Sequence, residues 1–405
     1  MVSQIDDMIN ILGNIGRTEY SGLYRASYTN DEYDAIQQLL EWVKSAGMSG
    51  YRDSIGNLWG RVDGHLTEGK SIVVGSHIDT VKNGGKFDGA YGIIAGLLAI
   101  KDLIQNHGKP NLPLELVAFT GEEASRFPIS LLGSKGVVGN LDRETLDQVT
   151  DNNKITVAEA MKIANLDPDK FYQAKRNDIE VFIEPHIDQG RTLKDNNVPI
   201  GIVISIVSIR LVNVTVEGRA DHAGVVPMHD RKDALLGAAD MISNIGDFAK
   251  SLDNGVMTVG GIEAHPNCSN VISEKVKFSI DARNESEPKL QEMLCRAKNI
   301  CDNVAFALDL NLKWELKSQV KPVKMSKKLI ELIQQSCIEE KLPYMEMPSF
   351  AGHDSMSFAN NKIPTCMFFI PCNSGRSHSP DEYATKVDME TGVNLLKRML
   401  LKLAY

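Results

Sequence analysis

His77 and Asp79 stand two residues apart just past an apolar run, Ile72-Val73-Val74. A glycine-rich polar loop then carries Asp88 into Gly89 and a second apolar stretch holding Ile93, Ile94, Leu97 and Leu98. The first run has the length and β-branched content of a buried strand, and the stretch after Gly89 reads as a helix. If the strand conformation continues, side chains two apart emerge on one face. A neutral imidazole ligates divalent metals, and a carboxylate behind it fixes the ring's tautomer and aim. His and Asp beside glycines also serve simply to shape a turn, so this stretch alone leaves both readings open.

Three further groups occupy the same kind of place. The apolar run Leu114–Phe119 ends at once in Thr120-Gly121-Glu122-Glu123. Adjacent acids are ordinarily solvated charge, but these terminate a core strand. Neighbouring side chains point in different directions, which allows one carboxylate on a metal and the other as general base. A run at 179–183 leads into Glu184-Pro185-His186-Ile187-Asp188-Gln189-Gly190, and a run at 365–370 leads to Ser374-Gly-Arg-Ser-His378-Ser-Pro380-Asp-Glu382. Each histidine alone is more often structural than ligating. Together they share a position just past a strand end.

Collected, His77, Asp88, Glu123, His186 and His378 are more ligands than one tetrahedral ion with an open position uses. A carboxylate can bridge, and two ions about 3.5–4 Å apart form a clamp for hydrolysis. The set contains no thiolate and suits Zn, Mn, Co or Ni without choosing among them. The remaining acid, Glu122, would deprotonate a bridging water and later protonate a leaving nitrogen, as metal-assisted amide hydrolysis requires.

Such residues need a sheet to position them. Thr29 to Glu32 has the form of a capping box, and Tyr33, Ile36, Leu39, Leu40 and Val43 keep helical spacing until Gly47. Residues 51–62 read as a hairpin around Gly56-Asn57. Strands alternating with helices imply an α/β sheet whose sites lie outside the strands' carboxyl ends. From about 205 to 320 the pattern changes to strand, helix, strand, strand, helix, strand, the split-βαβ or ferredoxin-like plan. Helix and strand signals resume afterwards. The expected organisation is therefore a catalytic domain in two parts, 1–205 and 321–405, interrupted by an inserted domain at 206–320. The insert carries its own polar groups, His222 within Asp221-His222-Ala-Gly224, Asn270 and Arg283, each weak on its own.

Composition sets outer bounds. A chain of 405 residues can bury a large core, and 42% hydrophobic with 24% charged residues is ordinary for a globular protein. A formal net charge of -9 argues against a nucleic-acid surface. The six cysteines show no metal-knuckle spacing and read as reduced thiols. The acidic N-terminus resembles no targeting peptide and no apolar run approaches membrane-spanning length, so a cytoplasmic protein is expected.

The motifs GSHIDTVKNGGKFDGAYG, TGEEASRFP, EPHIDQG, ADHAG, AGHDS and GRSHSPDE, in that order, resemble the di-metal amidohydrolases that include N-carbamoyl-L-amino-acid hydrolase and allantoate amidohydrolase, relatives of aminoacylases and glutamate carboxypeptidase. The resemblance runs nearly end to end. It implies a metallopeptidase-like three-layer α/β domain with an inserted lid through which two chains form a homodimer. It further implies two divalent ions, one held by His77, Asp88 and His186, the other by Asp88, Glu123 and His378. Glu122 matches the base and Asp79 the group that orients His77. Gln189, His222, Asn270, Arg283 and the Gly352 turn correspond to substrate contacts. His222 is expected to polarise the scissile carbonyl, and Arg283 to grip a substrate carboxylate with its planar fork. Some of the insert's residues would reach the partner chain's metals. His186 favours a small ureido acid as substrate, since the carboxypeptidase relatives carry an acid there. At Asp88 the resemblance implies unusual backbone, with a cis Asp88-Gly89 peptide expected. Arg376 departs from the pattern beside His378 and either turns outward or touches an acidic substrate. Two rival readings stand beside this one: an aminoacylase or dipeptidase on the same scaffold, and a catalytically silent binding or regulatory protein, which would be expected to have lost Glu122 or a ligand.

Overall fold

The computed structural model describes residues 4–66 and 69–405, so residues 1–3 and 67–68 of the expected 1–205 segment lie outside the described residues. The chain forms two compact units, Met1–Ile204 with Lys324–Tyr405, and Ser205–Val323. Strands β1 (Ser49–Arg52), β2 (Leu58–Val62), β3 (Ser71–His77), β4 (Leu114–Phe119), β5 (Ile179–Ile187) and β6 (Ile200–Ile206) come first. Then follow β7 (Ser208–Glu217), β8 (Val256–His265), β9 (Lys275–Asn284) and β10 (Asn311–Val320) of the insert, and finally β11 (Val323–Lys324), β12 (Tyr344–Ser349) and β13 (Thr365–Ile370).

The larger sheet has the order β1-β2-β4-β3-β5-β13-β6-β11, with β12 on β6. Its middle, β4-β3-β5-β13, is parallel throughout. His77 is level with Phe119, and His186 with Phe369, so four neighbouring strands end together. Both faces are covered, as a parallel sheet requires. Ile72 and Val74 of β3, Leu114 and Leu116 of β4, and Val181 and Ile183 of β5 enter one core. Their alternates Val73, Val117, Phe119 and Phe182 enter another with Val137, Val138 and Phe358. Period-two alternation into two cores makes the three layers helix, sheet, helix. The expected hairpin is β1 with β2, antiparallel, closed by Asp53, whose Oδ1 accepts the N–H groups of Ile55, Gly56 and Asn57.

The helix Ala90–His107 is buried nearly all round and lies close on the sheet through two glycines four residues apart. A Cβ on Gly92 would meet the Pro185 carbonyl at 2.3 Å, and one on Gly96 would press on Leu116 and Val74. The expected cis Asp88-Gly89 peptide is not found: the one cis peptide among the described residues is His265-Pro266. Gly89 makes the turn instead by a left-handed backbone, φ 66°, which glycine adopts at little cost.

The insert is a separate four-stranded antiparallel sheet, order β10-β7-β9-β8, carrying the helices Ala234–Lys250 and Glu287–Ala307 on one face. Alternate residues Val212, Val214 and Val216 of β7 and Val276, Phe278 and Ile280 of β9 form its core with those helices. Beyond Lys275 the pairing of the β7 and β9 ends continues through Ile272 N–H to Asp221 O and a bridge of His222 with Val271.

Gly89→Ala should be among the costliest single changes in the first unit. The added methyl would stand 2.3 Å from the His77 carbonyl and 2.7 Å from the His77 Nδ1, at a positive φ. We expect a loss of about 2–4 kcal/mol, read by urea unfolding of the metal-free protein.

Candidate metal centre

Every expected ligand lies at the carboxyl end of the parallel block. His77 closes β3, Asp88 lies in the loop before the Ala90–His107 helix, Glu122 and Glu123 follow β4, His186 is on β5, and His378 follows β13. Asp88 Oδ1 is 3.3 Å from His77 Nε2 and 3.2 Å from His186 Nε2. Its Oδ2 is 3.5 Å from His378 Nε2, which is 3.4 Å from Glu123 Oε1. Three ligand groups result: His77 with Asp88 and His186, Asp88 with Glu123 and His378, and His77 with Glu122 and Glu123. Asp88 is common to the first two.

Ring orientation is set by backbone. The Nδ1 of His77 faces the Asp79 carbonyl at 3.0 Å and that of His186 faces the Ile187 carbonyl at 2.9 Å. Donation from each Nδ1 leaves the Nε2 lone pair for a metal. His353, buried, stacks edge-on to His186 at 4.7 Å between centroids, its own Nε2 held by Ser349 at 2.9 Å.

The Asp79 carboxylate has partners besides the His77 ring. It stands 3.7 Å from the His77 ring, while its two oxygens accept the backbone N–H groups of Glu122 (3.0 Å) and Glu123 (3.1 Å). Asp79 thus orients His77 through its carbonyl and clamps the two acids through its side chain. Gln189 donates to Asp88 Oδ2 at 2.8 Å from a left-handed backbone, φ 52°. Gly352 faces Glu122: a Cβ there would lie 4.0 Å from Glu122 Oε1. Arg376 turns outward and pairs with Asp381 on the surface.

His222, Asn270 and Arg283 belong to the insert. His222 and Asn270 are neighbours, joined through the Ala223 N–H to Asn270 O bond. Arg283 donates to Asp281 from its Nε and Nη2 and lies toward the far end of β9, opposite Ile209.

Four polar residues were not singled out from sequence. Glu184, fully buried, accepts Ser76 Oγ on β3 and both the N–H and hydroxyl of Ser355, tying the Gly352 turn to the sheet. Ser377 and Glu382 contact Asp88. Asp354 is buried with neither oxygen hydrogen-bonded. The motifs that hold them were visible, but not what each would touch.

The electrostatics fit a cation. Burial pushes the Glu122 carboxyl well above its usual range, with Glu123 and Asp354 adding to it against His77. Burial next to Glu184 does the same to Asp354. Burial alone would lower His77, yet Asp88, Glu122 and Asp79 hold its pKa well above the ordinary value. The Glu123 carboxylate raises His378 to about 9. Histidines drawn toward protonation report surplus negative charge, which a bound metal would take up while releasing those protons. Asp88 Oδ1 is also left with no well-formed hydrogen bond although buried, as a metal-ligating oxygen would be. His77, Asp88 and His186 are all buried, whereas the His378 side chain is 49% exposed.

The model of peptidase family M20/M25/M40 matches residues 73–402. The chain is 38% identical to an N-carbamoyl-L-amino-acid amidohydrolase of Pseudomonas sp. (strain NS671), over 97% of this chain and 96% of that protein. It is 36% identical to an allantoate amidohydrolase of Bacillus subtilis (strain 168), over 100% and 98%. A crystal structure of an amidase of the hydantoinase/carbamoylase family from Burkholderia multivorans superposes with a TM-score of 0.87 at 29% identity, covering 98% of this chain and 96% of that one.

Asp79→Asn replaces one acceptor of the clamp by an amide donor facing a backbone N–H. Turnover should fall on the order of 10–100-fold while metal stoichiometry at saturating metal is retained. Loss of metal with the turnover of the loaded fraction intact would show instead that the carboxylate serves the His77 ring.

Proposed function

The chain belongs to peptidase family M20/M25/M40, and from that premise we propose that it hydrolyses the ureido (carbamoyl) C–N bond of an N-carbamoyl-L-amino acid or of allantoate. The observation that carries the reading is Asp88, one carboxylate shared by two ligand groups with Glu122 beside them. His77, Asp88 and His186 would hold one divalent ion and Asp88, Glu123 and His378 a second, with Zn, Mn, Co and Ni all suited to the donor set. When bound, such ions polarise the ureido oxygen as Lewis acids and ease the ionisation of water near neutral pH.

Glu122 takes a proton from the attacking water and delivers it to the leaving nitrogen. Asp79 holds only its backbone, which leaves the carboxylate to meet water. A ureido carbon is a poor electrophile because two nitrogens donate into it, so a donor such as His222 aimed at the developing oxyanion is apt. Arg283 has the fork that a substrate carboxylate requires, with Gln189, Asn270 and Gly352 completing the contacts. Ammonia release from N-carbamoyl amino acids and allantoate, set against free amine from N-acetyl amino acids and dipeptides, tests this reading against an aminoacylase or dipeptidase. No described helix is long and apolar enough to cross a membrane, and six free thiols fit a reducing, cytoplasmic setting.

We further propose that the working form is a homodimer formed through the insert, with composite sites. The support lies within the insert itself. His222 and Asn270 lie beyond the Lys275 end of β9, whereas Arg283 is near the other end. The run from Lys275 to Arg283 alone spans about 26 Å at the rise of a strand, far more than a small ureido acid covers. One insert therefore cannot offer both ends to one substrate. An isologous pair can, with each site taking opposite ends from the two chains.

Glu122→Gln should abolish turnover with metal content intact, and Glu123→Ala should lower metal occupancy; the reverse pattern, read by elemental analysis and assay, would swap the two roles. For the dimer, Glu122→Ala protein is mixed under subunit exchange with Arg283→Ala in one tube and with His222→Ala in another. One mixture should regain activity at roughly a quarter of all sites while the other stays silent, because one residue acts across the interface and the other within its chain. Recovery in both or in neither would end the proposal of split ends.

A further inference from the structure

Resting on the reading of Asp88 as the shared ligand, we propose that Glu382 is the positioning residue that sets Asp88 for metal binding. Glu382 lies in the loop between β13 and the helix Lys386–Ala404 and is almost fully buried. Its Oε1 accepts the backbone N–H groups of Phe87 (2.8 Å) and Asp88 (2.9 Å) together. The Ser377 hydroxyl lies 2.7 Å from both Glu382 Oε2 and Asp88 Oδ2 and, having one proton, donates to one of the two at a time. One side chain thus fixes both the peptide of Asp88 and, through Ser377, one oxygen of its carboxylate. Gln189 also donates to Oδ2, and Oδ1 lies between His77 and His186.

The surroundings are shaped around this contact. A Cβ on Gly85 would lie 2.3 Å from Glu382 Oε1 and 2.5 Å from its Cβ, so the 85–88 loop passes over the side chain at a distance only glycine allows. Phe87 packs edge-on against Tyr383 at 6.0 Å, closing the contact on its other side. The chemistry argues for more than loop pinning. A buried carboxylate without a cationic partner is expensive, and this one stands beside another carboxylate. The arrangement makes sense where Glu382 holds Asp88 in a pose that is unfavourable until a cation arrives, as outer partners of metal ligands do.

The test uses the full chain stripped of metal and zinc as the probe, with affinity read by competition against a chromophoric chelator. Glu382→Ala and Glu382→Asp, the second keeping the charge but falling short by a methylene, should each weaken zinc binding on the order of 10–100-fold. Glu382→Gln, whose amide oxygen still accepts both N–H groups and whose amine reaches Ser377, should return to within a few-fold of the parent. If the alanine variant does not fold, the aspartate variant decides alone. Wild-type zinc affinity in Glu382→Asp would overturn the inference, as would a glutamine variant as weak as the aspartate one. Asp88→Ala is the control for the underlying reading. Should it keep wild-type zinc affinity, the shared-ligand reading fails and this inference with it. Should it lose zinc while Glu382→Asp does not, only the inference fails.

Discussion

The first unit is organised around a concentration of buried carboxyl groups. Asp79, Asp88, Glu122, Glu184, Asp354 and Glu382 are all buried, and each buried carboxylate costs several kcal/mol unless it is paired or hydrogen-bonded. The fold meets part of that cost with backbone donors: the Glu122 and Glu123 N–H groups on Asp79, those of Phe87 and Asp88 on Glu382, and that of Ser355 on Glu184. What remains unmet is concentrated at Asp88 Oδ1 and Asp354. Remaining charge at the first of these points, between two imidazoles, is where a metal is of most use. The parallel block, its level strand ends and the left-handed turns at Gly89 and Gly121 all serve to bring these acids within reach of one another.

Much of this was legible in the sequence because it rests on local pattern. Apolar runs of strand length each ended in a His or an acid, and the structure brings His77, Asp88, Glu123, His186 and His378 into adjoining groups. The change of pattern after 205 marked a unit with its own core. What was not legible depends on partners far apart in the chain. Asp79 lay two residues from His77, so its carboxylate was assigned to the ring, yet it binds N–H groups more than forty residues on. Gln189 was read as a substrate contact and here donates to Asp88. Glu382 stood only as the last residue of the GRSHSPDE motif, because its partners Phe87 and Asp88 are nearly three hundred residues away. The backbone at Asp88 was expected to turn through a cis peptide, and a left-handed glycine does it instead.

The insert shows a different economy. Its helices cover one face of a four-stranded sheet, and its polar residues of interest are placed by strand length rather than by a cage. Arg283 on β9 is held by Asp281, two residues away on the same face, so its guanidinium is already oriented by a carboxylate that a substrate carboxylate would have to rival or join. His222 is exposed, with its Nδ1 accepting the Gly224 N–H at 3.0 Å, which leaves Nε2 as the proton-bearing nitrogen that points away from the backbone.

The contact between Asp88 and Glu382 also has a meaning for synthesis. On the ribosome, β3, β4 and β5 are made before the insert, while β13, His378 and Glu382 come after it. At 5–20 residues per second, about 10–40 s separate the emergence of His186 from that of Glu382. Through that interval β5 lacks its neighbour β13, and the acid that pins Asp88 does not yet exist. The insert, with its own core, can fold while the first unit waits. The candidate groups are therefore complete only once synthesis has passed Glu382, and a nascent chain stalled within the insert holds only part of the set.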